Sequence, residues 1–325
     1  MGAGLRATYK SLALLFPAVL IAAPGVMASG EQRTLARLPA EFEALPLLRS
    51  QQNHLLVNAA INGKRAVMMV DTGSPSTVVR PERCRYYNLS ESASAGADLP
   101  NQIQVNGSLN QLLVAHELAI GGSALTDVPI AAAQLAGVRR SPESERYERI
   151  DGILGLDVLL TTRAVLDFEQ QTLVLRRPSH KPAARYPRIL FRGFVRTPIT
   201  VSDGSNPFVS VTINGSSGQL LIDTGAFATL LHRQFVKELR LAVRRTRYRS
   251  DMINARGDSI DVAKIRKISI GMVNIVDRQV CVTDLANILG DEASSKPIVG
   301  VLGPEILRAH HAILDFGTNA LYLKR

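Results

Sequence analysis

The stretch Ala66-Val67-Met68-Met69-Val70-Asp71-Thr72-Gly73-Ser74 decides the reading of this chain, because it has a counterpart 152 residues further on. That counterpart is Gly218-Gln219-Leu220-Leu221-Ile222-Asp223-Thr224-Gly225-Ala226. In each copy an apolar run ends on an aspartate, and Thr-Gly follows. Ile61-Asn62-Gly63 and Ile213-Asn214-Gly215 lie upstream at the same offset of 152, and Thr77 and Thr229 lie downstream in the same register. A lone Asp-Thr-Gly triplet arises by chance in a chain of this size at a rate on the order of several per cent. Two copies in matching surroundings indicate duplication.

A second block repeats as well. Gly152-Ile153-Leu154-Gly155 parallels Gly300-Val301-Leu302-Gly303 at an offset of 148. Val165-Leu166-Asp167-Phe168 and Ile313-Leu314-Asp315-Phe316 follow at that same offset of 148. Between the blocks, Gly107 and Gly121 match Gly257 and Gly271 at an offset of 150. The drift from 152 to 148 needs only small loop deletions. One duplication of this length implies two similar lobes about a pseudo-twofold axis, not a short-period solenoid.

The local chemistry places the motifs. Ala66 to Val70 and Leu220 to Ile222 are short uninterrupted apolar runs, as expected of strands buried on both faces. Asn62-Gly63 and Asn214-Gly215 signal hairpin turns. The glycine after each Thr allows a tight turn that a side chain would obstruct. Pro304 and Glu305 are helix-start residues. The stretch 177–207 carries Pro178, Pro182, Pro187, Pro198 and Pro207 and reads largely as the connection between lobes.

Paired aspartates carry a specific chemistry. A pseudo-twofold axis would bring Asp71 and Asp223 face to face. Two carboxyl groups about 3 Å apart cannot both ionise cheaply, so they share one proton. The ionised member can deprotonate a water while the protonated one hydrogen-bonds a carbonyl. That is general acid–base hydrolysis. Thr72 and Thr224 could bond the backbone of the opposite lobe and hold the two turns in register. Ser74 and Ala226 break the symmetry. A Ser74 hydroxyl donated to the neighbouring carboxylate would leave more of the negative charge on Asp71.

Composition bounds the rest. The 325 residues are 46% hydrophobic and 20% charged, a globular balance. Residues 1–28 combine Arg6 and Lys10, an apolar stretch from Leu12 to Met27 and a small-residue end, and so read as an export signal. Left uncleaved, the stretch is barely long enough to anchor the chain in a bilayer. Cys84 and Cys281 stand outside metal-ligand spacing, and the sequence leaves both a disulfide and two free thiols open. The net charge of +10 owes much to Arg240, Arg244, Arg245, Arg247 and Arg249, which form either a solvated face or a surface for anionic membranes. No nucleic-acid motif is present. His116-Glu117 and His310-His311 lack metalloprotease spacing. No serine sits in a nucleophile elbow.

These motifs resemble the retropepsin/pepsin superfamily of aspartic proteases, on the side of bacterial retropepsin-like proteins. Asp71-Thr72-Gly73-Ser74 and Asp223-Thr224-Gly225-Ala226 are similar to its two active-site loops. Ile153-Leu154-Gly155 and Val301-Leu302-Gly303 are similar to its supporting apolar-apolar-Gly element. The resemblance implies an all-β fold of two pseudo-twofold-related lobes with a cleft between them. The expected organisation is 1–28 signal peptide, 29–49 N-terminal segment, 50–178 first lobe, 179–204 linker and 205–325 second lobe. It implies an exported aspartic endopeptidase active as a monomer on a polypeptide substrate, without metal or other cofactor. Asp71 and Asp223 would be catalytic, and Thr72, Gly73, Ser74, Thr224, Gly225 and Ala226 would support them. Flap hairpins would lie near Asn106-Gly107 and Arg256-Gly257, with no flap tyrosine near either. A catalytically silent peptide- or partner-binding relative is the alternative, and two intact Asp-Thr-Gly loops argue against it.

Overall fold

The computed structural model describes residues 40–50, 54–91, 102–105, 108–135, 150–177, 193–202, 206–247, 249–252, 255–285 and 297–325. The signal-like segment 1–28, residues 29–39 of the N-terminal segment, and the flap positions Asn106 and Gly107 lie outside these. Among the described residues no helix is long and apolar enough to cross a membrane.

The two halves fold alike, element by element. The first half runs β1 (Phe42–Pro46), β2 (Leu48–Arg49), β3 (Leu55–Ile61), β4 (Lys64–Val70), β5 (Val78–Val79), α1 (Pro81–Cys84), β6 (Ser90–Glu91) and β7 (Gln102–Val105). It continues with β8 (Ser108–Ile120), β9 (Ser123–Ala132), β10 (Gly152–Leu154), α2 (Leu156–Thr161), β11 (Val165–Asp167) and β12 (Thr172–Arg176). The second half runs β13 (Phe194–Val201), β14 (Pro207–Ile213), β15 (Ser216–Ile222), β16 (Leu230–His232), α3 (Arg233–Glu238), β17 (Val243–Arg244), β18 (Arg249–Met252) and β19 (Ala255–Ser259). It closes with β20 (Asp261–Ile270), β21 (Val273–Thr283), β22 (Ile298–Leu302), α4 (Pro304–Ala309), β23 (Ile313–Asp315) and β24 (Ala320–Lys324). The fold is all-β with short helices, in two similar lobes.

The repeated sequence signals explain the repeated elements. Asn62 and Gly63 both have positive φ (48° and 76°), as do Asn214 and Gly215 (50° and 98°). A two-residue hairpin loop of this hand suits the twist of the strands it joins. The Asn side chains also tie the turn to the next strand. Asn62 Oδ1 accepts from the Glu117 N–H at 2.9 Å, and Asn214 Oδ1 accepts from the Arg266 and Lys267 N–H groups, each at 3.0 Å. The Asp167 and Asp315 carboxylates cap the β11–β12 and β23–β24 turns. Asp167 accepts from the N–H of Glu169 and Gln170, and Asp315 from the N–H of Gly317 and Thr318. That second sequence motif is thus turn chemistry.

Strand alternation sorts the apolar residues into layers. On β3, Leu55, Val57, Ala59 and Ile61 enter a large core that runs through both lobes, and Leu56 enters a smaller group with Met69, Ile103 and Leu112. On β14, Val209, Val211 and Ile213 join the large core, and Phe208 packs in a smaller group with Leu221, Ile260 and Leu285.

One sheet joins the lobes. Its first six strands are ordered β1-β12-β11-β23-β24-β13, three from each half. At its centre β11 and β23 run antiparallel with Leu166 opposite Leu314, so the pseudo-twofold axis passes through that pair. Within the stretch 179–204 read as a linker, residues Phe194–Val201 form β13, which pairs with β24 as β1 pairs with β12. Cys84 and Cys281, half-buried in different lobes, are free thiols.

Candidate active site

Each aspartate sits where two parallel strands end side by side. β10 pairs parallel to β4, aligning Leu154 with Val70, and the Asp71 N–H donates to the Leu154 carbonyl at 3.1 Å. In the second lobe Leu302 aligns with Ile222, and the Asp223 N–H donates to Leu302 at 3.1 Å. These strands are buried on both faces and read as continuous apolar runs, as parallel strands do. The Gly after each pair lets the loop pack tightly. A Cβ at Gly155 would stand 2.4 Å from the Ser76 carbonyl carbon, and one at Gly303 would stand 2.3 Å from that of Ala228.

The loops meet across the lobe boundary through their threonines. Thr72 Oγ1 donates to the Ile222 carbonyl at 2.7 Å, and Thr224 Oγ1 donates to the Val70 carbonyl at 2.8 Å. Each hydroxyl also accepts the other threonine's N–H, at 3.1 Å in both directions. All four bonds are buried and related by the pseudo-twofold axis.

The glycines set the carboxyl spacing. A Cβ on Gly73 would lie 2.4 Å from the Asp223 carboxyl carbon, and a Cβ on Gly225 would lie 2.4 Å from that of Asp71. Each carboxyl therefore rests against the opposite loop's glycine, where no larger residue fits. Asp71 Oδ1 accepts from the Gly73 N–H at 2.8 Å. Asp223 Oδ1 accepts from Gly225 at 2.8 Å and Ala226 at 2.9 Å. Both Oδ2 atoms are buried without a hydrogen-bond partner among the described residues. Both aspartates have 0% exposure. Burial pushes the Asp71 carboxyl up to about 6, and burial followed by repulsion from Asp71 holds Asp223 well above the usual carboxylate range. Such a pair retains a proton where isolated aspartates have lost it.

The expectation for Ser74 is corrected. Its hydroxyl donates to the Ser76 carbonyl at 2.8 Å, closing its own loop, and so is not the donor to Asp71. The Ser/Ala difference does not polarise the pair in the way expected. Of the flap positions, Arg256 and Gly257 fall within β19. Arg256 is opposite Asp251, and Met252 is opposite Ala255. In the first lobe Val105 pairs with Ser108, and the flap positions Asn106 and Gly107 lie outside the described residues.

The bracing role of two acids escaped the sequence reading, which took Glu305 only as a helix-start residue. Asp157 and Glu305 stand at equivalent places in the first turns of α2 and α4. Asp157 Oδ2 accepts the Thr77 N–H at 2.8 Å, and its Oδ1 accepts the Thr77 hydroxyl at 2.7 Å. Glu305 Oε1 accepts the Thr229 N–H at 2.7 Å. Thr77 and Thr229 then accept the N–H of Gly155 at 3.2 Å and Gly303 at 3.0 Å. These acids brace the far end of each aspartate loop. The available signal was an acid two residues after each repeated Gly, obscured because one copy is Asp and the other Glu.

No curated protein matches the chain. Among solved structures, the chain is similar to basic 7S globulin from soybean, with 12% identity, a TM-score of 0.45, and 88% of this chain and 95% of that one covered. It is also similar to an aspartic proteinase from Irpex lacteus, with 14% identity, a TM-score of 0.47, and 87% of this chain and 97% of that one covered. A family model described as aspartyl protease matches twice, over residues 57–158 and 209–306, one match in each lobe. The two matches span more than half of the sequence and each contains one Asp-Thr-Gly loop, and on that ground the chain belongs to the aspartyl protease family.

Proposed function

We propose that the protein is an endopeptidase in which Asp71 and Asp223 jointly activate a water molecule. The observation that carries this reading is the facing pair of buried carboxyls, each against the other loop's glycine and each with Oδ2 free of protein donors. With one proton between them, the ionised aspartate accepts a proton from water as its oxygen attacks the scissile carbonyl carbon. The protonated aspartate donates to the carbonyl oxygen. The tetrahedral intermediate collapses by breaking its C–N bond: the aspartate protonated by water gives its proton to the departing amine, and a hydroxyl of the intermediate returns a proton to the other aspartate, restoring the singly protonated pair. Acid, base and orientation then come from one site, without a covalent intermediate. The reading takes a polypeptide as substrate and a single chain as the working unit.

The test is cleavage of denatured casein by residues 29–325 from acid to neutral pH, beside Asp71→Asn and Asp223→Asn. The wild type should cut, and both variants should lose activity while retaining the native circular-dichroism spectrum. Full activity in either folded variant would overturn the reading. A wild type that binds a statine-type peptide without cutting any protein would point to a silent peptide-binding module.

A further inference from the structure

Two polar side chains at backbone positions level with the aspartates each carry a buried atom without a hydrogen-bond partner. The β3–β4 register aligns Leu56 with Met69, so two residues further along His54 comes level with Asp71. The β14–β15 register aligns Phe208 with Leu221, so Asn206 comes level with Asp223. His54 and Asn206 occupy equivalent places at the duplication offset of 152. By strand alternation each shares the face of the residue two positions on, Leu56 or Phe208. Those residues pack in the smaller cores, with Ile103 from the β7–β8 hairpin and with Ile260 beside the β18–β19 hairpin. Both side chains therefore lie on the hairpin side of their lobes, away from the large core.

His54 is 2% exposed, yet its Nδ1 has no hydrogen-bond partner. The Asn206 amide oxygen is likewise buried without one. Burial alone pushes the His54 imidazole down to about 4, so it stands neutral over most of the pH range. A buried polar atom without a partner is a cost to the fold, and such atoms are few in native proteins. Here two occur at equivalent positions beside the same pair of aspartates, and they differ in chemistry.

We propose that His54 and Asn206 are specificity-determining residues that hydrogen-bond polar groups of a bound polypeptide on opposite sides of the scissile bond. The Asn206 oxygen takes an N–H donor. The His54 ring nitrogen takes a donor or an acceptor according to its tautomer. Because one side offers imidazole and the other an amide, the nearly symmetric lobes read a substrate chain with a fixed direction. This inference rests on the endopeptidase reading above and adds which side chains are read.

The experiment uses the wild-type chain, His54→Leu, Asn206→Leu and the exchanged double variant His54→Asn/Asn206→His. All are given one peptide library with a fixed scissile pair and varied flanking residues, and cleavage is read by mass spectrometry. Each leucine variant should lose about tenfold or more in kcat/KM for peptides with a polar residue on one flank. Peptides with apolar flanks should stay within about twofold. The exchanged variant should move the polar preference to the other flank and retain the wild-type pH profile. A purely structural role would lower Tm and scale all peptides equally, which overturns the proposal, as does an unchanged profile in all variants. If the wild type cuts no peptide, the endopeptidase reading fails first, and the same library is measured by binding. Affinities that no variant alters, or no binding at all, then sink this inference too.

Discussion

Burial only partly offset by backbone hydrogen bonds sets the Asp71 and Asp223 carboxyls apart. Their outer oxygens lack donors, and burial raises both above the range of an exposed aspartate. An unfolded aspartate ionises near ~3.9. Between that value and about 6, the folded chain holds a proton at Asp71 that the unfolded chain has released. The native state then binds more protons, so this site's contribution to stability falls as pH rises through the window. Asp71→Asn cannot ionise and escapes this loss. Its Tm relative to the wild type should therefore be higher at pH 7 than at pH 4. A difference that stays constant over that range would show that burial does not govern the pair. Asp157, whose carboxyl burial also pushes up to about 6, remains in both proteins and cancels from the comparison.

Hydrogen bonds between elements hold those carboxyls in register. The threonine exchange joins the ends of β4 and β15 through four buried bonds, none of them within one lobe. Replacing Thr72 by Val keeps the shape and removes the hydroxyl, leaving the Thr224 N–H and the Ile222 carbonyl without that partner. Each buried group so stranded costs about 1–3 kcal/mol. Thr72→Val should lower stability in urea by a few kcal/mol and reduce kcat more than it raises KM, because the loops lose alignment. Thr72→Ser, which keeps the hydroxyl, should recover most of both. A serine variant as impaired as the valine one would assign the role to the methyl group instead. The same scale explains the Asn-Gly repeats. Each Asn supplies a left-handed turn position and a carbonyl that fixes the neighbouring long strand, so its repetition reports geometry and not catalysis.

Across the whole molecule, the lobes are joined by more than a connection. β11 and β23 share a sheet, and the Phe168 and Phe316 N–H groups donate across the axis to Ala312 and Ala164, each at 3.0 Å. His311 of one lobe meets Glu169 of the other at 3.2 Å. The large apolar core is continuous across this boundary. The lobes should therefore unfold in one cooperative transition by calorimetry, and truncating Leu314 to Ala on the axis should destabilise that transition by about 2–5 kcal/mol. Two resolved transitions, with only one moved by Leu314→Ala, would show the lobes to be energetically separate.

Much of this architecture was legible along the chain. The apolar runs into Asp71 and Asp223, the Asn-Gly turns, the Gly-rich supporting block and the Pro304 helix start are local signals, governed by backbone sterics and strand burial over a few residues. Their repetition at nearly constant spacing implies the two lobes. The threonine clamp across the axis was readable too, but most contacts between separated segments left no such local mark. The approach of Gly73 to Asp223, the direction of the Ser74 hydroxyl, the brace from Asp157 and Glu305, and the strand β13 inside a proline-rich stretch all depend on how separated segments pack. His54 and Asn206 show the division most clearly: the sequence fixes their places on the strands, and packing alone strands their polar atoms beside the aspartates. The amino-acid sequence by itself determined the pair of aspartates and the strands that carry them, because backbone geometry is local. The tertiary structure alone decided which groups surround that pair and with what charge, because burial and cross-lobe hydrogen bonding exist only once the two halves close on each other.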